Sequence, residues 1–139
     1  MKEYNKELCK KYPFLTPYSA RSTHSNYDYD YTILDFMPHG WRDAFGEEMC
    51  EELKRALSSA GLLKEYRVIE IKEKWGELRW YDCCGNEETY EIVEKYRKKS
   101  KHTCIICGKP AKWMTTGWVC PVCDSCREKE FEGKECIPI

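Results

Sequence analysis

Apolar positions between residues 41 and 60 recur every three or four places: Trp41, Ala44, Phe45, Met49, Leu53, Ala56, Leu57 and Ala60. That period predicts an amphipathic helix of about five turns with its apolar stripe turned to a core. Pro38-His39-Gly40 breaks the chain before it, and Gly61 supplies a left-handed stop after it. The period then changes to two. Residues 67–74 (RVIEIKEK) alternate, with Ile69 and Ile71 on one face, and residues 77–82 (ELRWYD) alternate with Leu78 and Trp80. Trp75-Gly76 between them predicts a tight hairpin turn. A two-stranded ribbon is marginal alone, so it must pack on the 41–60 helix or gain strands from the N-terminal segment.

Cys83-Cys84-Gly85-Asn86 reads as a turn, and residues 87–99 as a second helix. Its acids come first and its bases last, in accord with the helix dipole. Ile92, Val93 and Tyr96 form its stripe, and Glu91/Lys95 and Glu94/Lys98 are spaced as i,i+4 ion pairs. Upstream, a short helix should end before Pro13, followed by extended chain through Pro17. Residues 22–32 lack helical period. Tyr27, Tyr29 and Tyr31 alternate with Asp28 and Asp30, as on an edge strand or in an ordered loop. Residues 127–139 read as a short tail packed through Phe131, Ile137 and Ile139.

Composition narrows the setting. The chain has 139 residues, 42% apolar and 34% charged, enough for one core with a small appendage. There is no apolar run of membrane-spanning length, and the first residues lack a signal-peptide core. A cytoplasmic protein is expected, with the ten cysteines serving as thiols and metal ligands rather than disulfides.

Cys104-x2-Cys107 and Cys123-x2-Cys126, fifteen residues apart, have the spacing of one tetrahedral zinc site. Gly108 allows the positive φ such a turn needs, and Trp113, Met114 and Trp118 between the pairs can build a ribbon hairpin. Cys120-x2-Cys123 is a competing second pair. Four thiolates leave no open coordination position, so the zinc is expected to be structural. The histidines, His24, His39 and His102, form no ligand pair and no nucleophile–base arrangement. Adjacent Cys83 and Cys84 could be redox-active or incidental to their turn.

The overall architecture expected is α+β. Residues 1–100 form a body in which a small antiparallel sheet packs on one long amphipathic helix. Residues 101–139 form a zinc-ribbon-like unit packed on it.

The net charge of −1 hides an asymmetry. Residues 1–94 hold 19 acids against 13 bases, whereas the seven Lys and Arg of residues 95–112 have no acid among them. That block is either a site for nucleic acid or a local balance for the helix dipole and the thiolate centre. A second candidate surface is the polar face of the hairpin. Lys72, Lys74 and Arg79 can pair with phosphate, and Trp75 and Tyr81 can stack on a base. The alternative is a solvated sheet face with Trp75 and Trp80 in the core.

Tyr12-Pro13-Phe14-Leu15, the YDYDYTILD stretch of residues 27–35, Met37-Pro38-His39-Gly40-Trp41, the KEKWGELRWY block and the terminal CxxCG and CDxC pairs together resemble a known family. Its members are small proteins of Gram-positive bacteria and of their phages and mobile elements. They carry a KEK-aromatic-G-x-LR-aromatic-Y segment and often a C-terminal CxxC…CDxC or CDxH zinc unit. The resemblance implies Cys123 and Cys126 as the second ligand pair. It carries no biochemical activity with it. It implies a phage or mobile-element setting, where small non-enzymatic proteins counter host defences or modulate host machinery. The reading that follows is a non-enzymatic, zinc-stabilised binding protein that captures a nucleotide-like immune signal. The alternative is a zinc-ribbon adaptor for nucleic acid or the transcription machinery, acting through residues 95–112. A host protein is a further possible partner.

Overall fold

A computed structural model of the chain describes residues 1–17 and 26–139. The first part of the tyrosine-rich segment, residues 22–25 with His24, lies outside the described residues. The fold is α+β. Helix α1 (Lys2–Lys11) stops at Tyr12, whose N–H caps the Leu8 carbonyl. Extended chain does not follow. Pro13–Leu15 forms a 3-10 turn, because Pro13 at its first position presets a helical φ. The turn places Phe14 and Leu15 wholly in the core.

Residues 27–31 are likewise not a strand. Tyr29 has a φ of +67°, which breaks the alternation. The three tyrosine rings cluster instead, with Tyr27 lying 4.8 Å from Tyr29 and 5.8 Å from Tyr31. Asn5 of α1 holds the bend by donating to the Tyr29 carbonyl at 2.7 Å. Thr32 and Asp35 then cap a second 3-10 turn, Ile33–Phe36, reciprocally.

The long helix has three parts: α2 (His39–Trp41), a π-helical turn (Arg42–Gly46) and α3 (Glu47–Ala60). The sequence explains the π turn. Trp41, Phe45, Met49, Leu53 and Leu57 repeat every four residues, and all are buried. A regular helix of 3.6 residues per turn would carry that row around its axis. One wider turn takes up part of the drift. Ala44 and Ala60, expected in the stripe, are exposed. Gly61 adopts the expected left-handed stop, at φ +70°.

Strands β1 (Arg67–Lys74) and β2 (Glu77–Cys83) pair antiparallel through a turn at Trp75 and Gly76, both at positive φ. The register slips between Val68 and Glu70, leaving Ile69 as a bulge. This corrects the expected inward pair. Val68 and Ile71 face the core, Ile71 at 2% exposure, while Ile69 is 55% exposed. Leu78 and Trp80 are buried as expected.

Helix α4 (Glu87–Ser100) begins at a capping box of Asn86 and Thr89. It packs on both α3 and β2. Tyr96 meets Phe45 at 5.4 Å between ring centroids, and the Leu78 N–H of β2 donates to the Ser100 hydroxyl at 2.9 Å. The expected i,i+4 pairs do not form. Lys95 reaches across to Glu52 of α3, and Glu94 binds Arg97.

Beyond α4, strands β3 (Trp113–Thr115), β4 (Pro121–Val122) and β5 (Cys136–Pro138) form a sheet in the order β4-β3-β5. Helix α5 (Asp124–Glu130) precedes β5. The tail is therefore a helix and a strand. Phe131 is half-buried, but Ile137 and Ile139 are exposed. One apolar core runs from Leu8 to Cys126.

Ile71→Ala should cost about 2–5 kcal/mol, the range for large-to-small changes in a core. Ile69→Ala should stay within about 0.5 kcal/mol, as for surface positions. Urea denaturation of the two variants reads the bulge directly; equal losses would contradict it.

Candidate metal centre

Cys104, Cys107, Cys123 and Cys126 converge, with all four sulfurs within 4.8 Å of one another. Cys107 and Cys123 are 3.6 Å apart. For bonds of about 2.3 Å in a tetrahedron the sulfurs should lie roughly 3.8 Å apart, so the donor set fits one ion. Among the described residues it is the one such cluster.

Local structure sets each pair. The first pair is a knuckle in which Gly108, at φ +83°, turns its N–H back to the Cys104 carbonyl at 3.0 Å. The second pair opens α5. Cys123 is the N-cap, and its sulfur accepts the Cys126 N–H at 3.4 Å. Burial works against the Cys123 thiolate, but the Cys126 N–H and the neighbouring thiols outweigh it and bring its pKa down to about 7. Burial pushes the Cys107 and Cys126 thiols up. A bound cation would offset the burial that opposes the thiolate form of Cys107 and Cys126. Cys120 is outside the cluster. It is buried in the β3–β4 hairpin, where its N–H donates to the Thr115 hydroxyl at 2.9 Å.

The first knuckle is pressed against the start of the long helix. The Gly40 N–H donates to the Ile105 carbonyl and the Trp41 indole N–H to the Thr103 carbonyl, both at 2.9 Å. A Cβ on Gly40 would lie 2.3 Å from the Cys104 carbonyl oxygen, and one on Gly108 would lie 2.7 Å from the Gly40 oxygen. Pro38-His39-Gly40 is therefore more than the break before the helix that its sequence suggests. The clue to its second role was the isolated glycine directly before a tryptophan.

The hairpin face gathers most of the other candidate residues. Lys72 stands opposite Arg79, Glu70 opposite Tyr81, and Lys74 opposite Glu77. The charges of Lys72 and Arg79 are partnered. Lys72 pairs with Glu70 at 3.5 Å, and Glu77 takes both Arg79 and Arg97 at 2.9 Å. Trp75 is not in the core. It stands at the hairpin tip, 71% exposed, near Trp118, which is 63% exposed. A cleft of about 260 Å³ lies there, lined by Glu73, Lys74, Trp75, Gly117, Trp118 and Val119. Glu73 ties its walls together by accepting the Gly76 N–H at 2.9 Å and the Trp118 indole at 3.2 Å. Trp118 and Glu73 were not foreseen as site residues, since nothing in their spacing brings the two loops together.

The basic block is largely consumed internally. Lys95 binds Glu52, Arg97 binds Glu77 and Glu94, Lys99 binds Glu48 and Lys112 binds Asp124. No helix among the described residues is long and apolar enough to cross a membrane. Set against protein-family models, curated proteins and solved structures, the chain finds no match in any of the three.

Two variants test the centre. Cys126→Ser should lose the bound metal by elemental analysis, and Cys120→Ser should keep it; the reverse result would move the site to the competing pair. Gly40→Ala should destabilise the protein by about 1–3 kcal/mol or more, because the clash is with backbone that cannot rotate away. It should also speed metal release to a chromogenic chelator. Unchanged stability and release would mean that the knuckle is not seated on α2.

Proposed function

We propose that this chain is a non-enzymatic binding protein held together by one structural zinc, and that its ligand site is the cleft between Trp75 and Trp118. The observation that carries this is the pair of exposed indoles flanking one cleft beside Lys74, which has no ion pair among the described residues. Tryptophans are normally buried in a core or an interface, so two exposed ones side by side point to a binding surface. Flat aromatic walls with one free ammonium suit a planar, anionic ligand of nucleotide type. Four soft donors in a tetrahedron favour zinc, and a closed four-thiolate shell leaves no position for catalysis. The free cysteines fit a reducing, cytoplasmic setting.

The family resemblance supports a phage or mobile-element origin. There, sequestering a nucleotide immune signal would counter host defence. Nucleic-acid or transcription-machinery binding through residues 95–112 is the weaker reading. A duplex binder needs many free phosphate contacts. In this block only Lys98, Lys101 and Lys109 have no ion pair among the described residues. Of the hairpin candidates the proposal retains Lys74 and Trp75. Lys72, Arg79 and Tyr81 do not line the cleft.

A thermal-shift screen of linear and cyclic nucleotides tests the proposal. A ligand at a hundred times its dissociation constant adds about 2.7 kcal/mol to stability. Trp75→Ala, Trp118→Ala and Lys74→Gln should each abolish the shift, while Arg79→Gln and Lys98→Gln keep it. If no nucleotide shifts the midpoint, and random DNA or RNA binds with steep salt dependence lost on neutralising Lys98 and Lys101, the adaptor reading replaces this one.

A further inference from the structure

Cys83 and Cys84 belong neither to the four-cysteine cluster nor to the core. Cys83 is the last residue of β2, where successive side chains should point to opposite faces. Cys84 undoes the alternation. Its φ is +70°, in the left-handed region where a residue other than glycine is uncommon. A glycine is present, but one place later, at Gly85. A strained backbone at a chemically reactive residue is a reason to look for function there. Its effect is to bring the two sulfurs within 3.5 Å of each other.

That separation is contact between two reduced thiols, close enough for one ion to bridge them. A disulfide needs sulfurs about 2.05 Å apart. One ion with sulfur bonds of about 2.3 Å holds two sulfurs roughly 3.8 Å apart. The 3.6 Å between Cys107 and Cys123 gives the same comparison within this protein. The Cys83–Cys84 sulfurs are close enough to share an ion without rearrangement of the backbone. It also lies open: Cys84 is exposed, Cys83 is half-buried, and both line a cleft of about 320 Å³ with Asp82, Asn86, Tyr90 and Glu94.

We propose that Cys83 and Cys84 form a second soft-ion site, a surface dithiol that chelates one thiophilic metal or metalloid ion and leaves its other coordination positions open. Thiolate donors select soft ions over magnesium or calcium. Two protein ligands with open space beside them make an exchangeable site, in contrast to the closed four-cysteine centre. Chelation needs no oxidant. With a monosubstituted trivalent arsenical, two As–S bonds form, the oxygen leaves as water with the two thiol protons, and arsenic stays trivalent.

The test uses phenylarsine oxide on the full, metal-loaded chain, followed by native mass spectrometry. One adduct per chain is expected, with the four-cysteine metal retained. Bound arsenical should protect both Cys83 and Cys84 from iodoacetamide. Cys83→Ser and Cys84→Ser should each weaken binding at least a hundredfold, because a single thiol cannot chelate. Their thermal midpoints and bound metal should match the parent, which separates loss of the site from loss of the fold. No adduct, an adduct that survives in the double variant, or one formed only as the four-cysteine metal is lost would each overturn the proposal.

Discussion

The contact on which most of this structure depends is backbone against backbone, where Gly40 meets the Cys104–Gly108 knuckle. No side chain separates them, and a Cβ on either glycine would collide with main-chain oxygen. Two consequences follow. The Gly40 N–H and the Trp41 indole, which would otherwise be orphaned donors at a buried helix start, are satisfied by the Ile105 and Thr103 carbonyls. The orientation of the metal knuckle is also locked to the helix that fills the core. Trp41, Phe45, Met49, Leu53 and Leu57 hang from that fixed end.

The dominant period of a segment was legible in the sequence, and so was the metal spacing. Trp41 to Leu57, Leu78 with Trp80, the Trp75-Gly76 turn and the Gly61 stop all stand where the pattern places them. Local irregularities were not legible. The bulge at Ile69 moves Val68 inward, and a period-two reading has no means of seeing an extra residue. The 3-10 turn at Pro13 and the left-handed Tyr29 arise because tertiary contacts override short-range pattern. Phe14 and Leu15 are both buried, and Asn5 holds the Tyr29 carbonyl. At the candidate site, the four cysteines that cluster could be read because the spacing within each pair is local. The Trp75–Trp118 cleft could not, because it forms between loops 43 residues apart in the chain.

Charge shows the same division between sequence and space. Residues 95–112 look like an anion-binding block only while their partners are out of view. Folding brings Glu48 and Glu52 of α3 and Glu77 of β2 against α4. The body's acidic excess and the block's basic excess are largely the two halves of one packing interface. Glu52 receives both Lys95 and the Tyr96 hydroxyl, and its carboxyl is held below the usual range although burial opposes this. Most of these pairs are exposed enough to add little stability singly. Their larger effect is to tie Lys95, Arg97 and Lys99 into the fold rather than leave them as a basic surface on α4.

Lys74 has no ion pair among the described residues, and it stands beside the proposed ligand cleft. The cleft beside it has one wall from the β1–β2 turn and the other from the β3–β4 loop, joined through Glu73. Gly76 can approach Met114 and Val119 closely only while the ribbon is folded. Four thiols near one point, three of them buried, are hard to keep together without a cation, and ion binding to such a set is also folding energy. On the proposed reading, a metal with no catalytic position would still bear on binding. A bound ion would fold the ribbon that carries Trp118 against the hairpin tip, and the knuckle seated on Gly40 ties that ribbon to the same core as the hairpin.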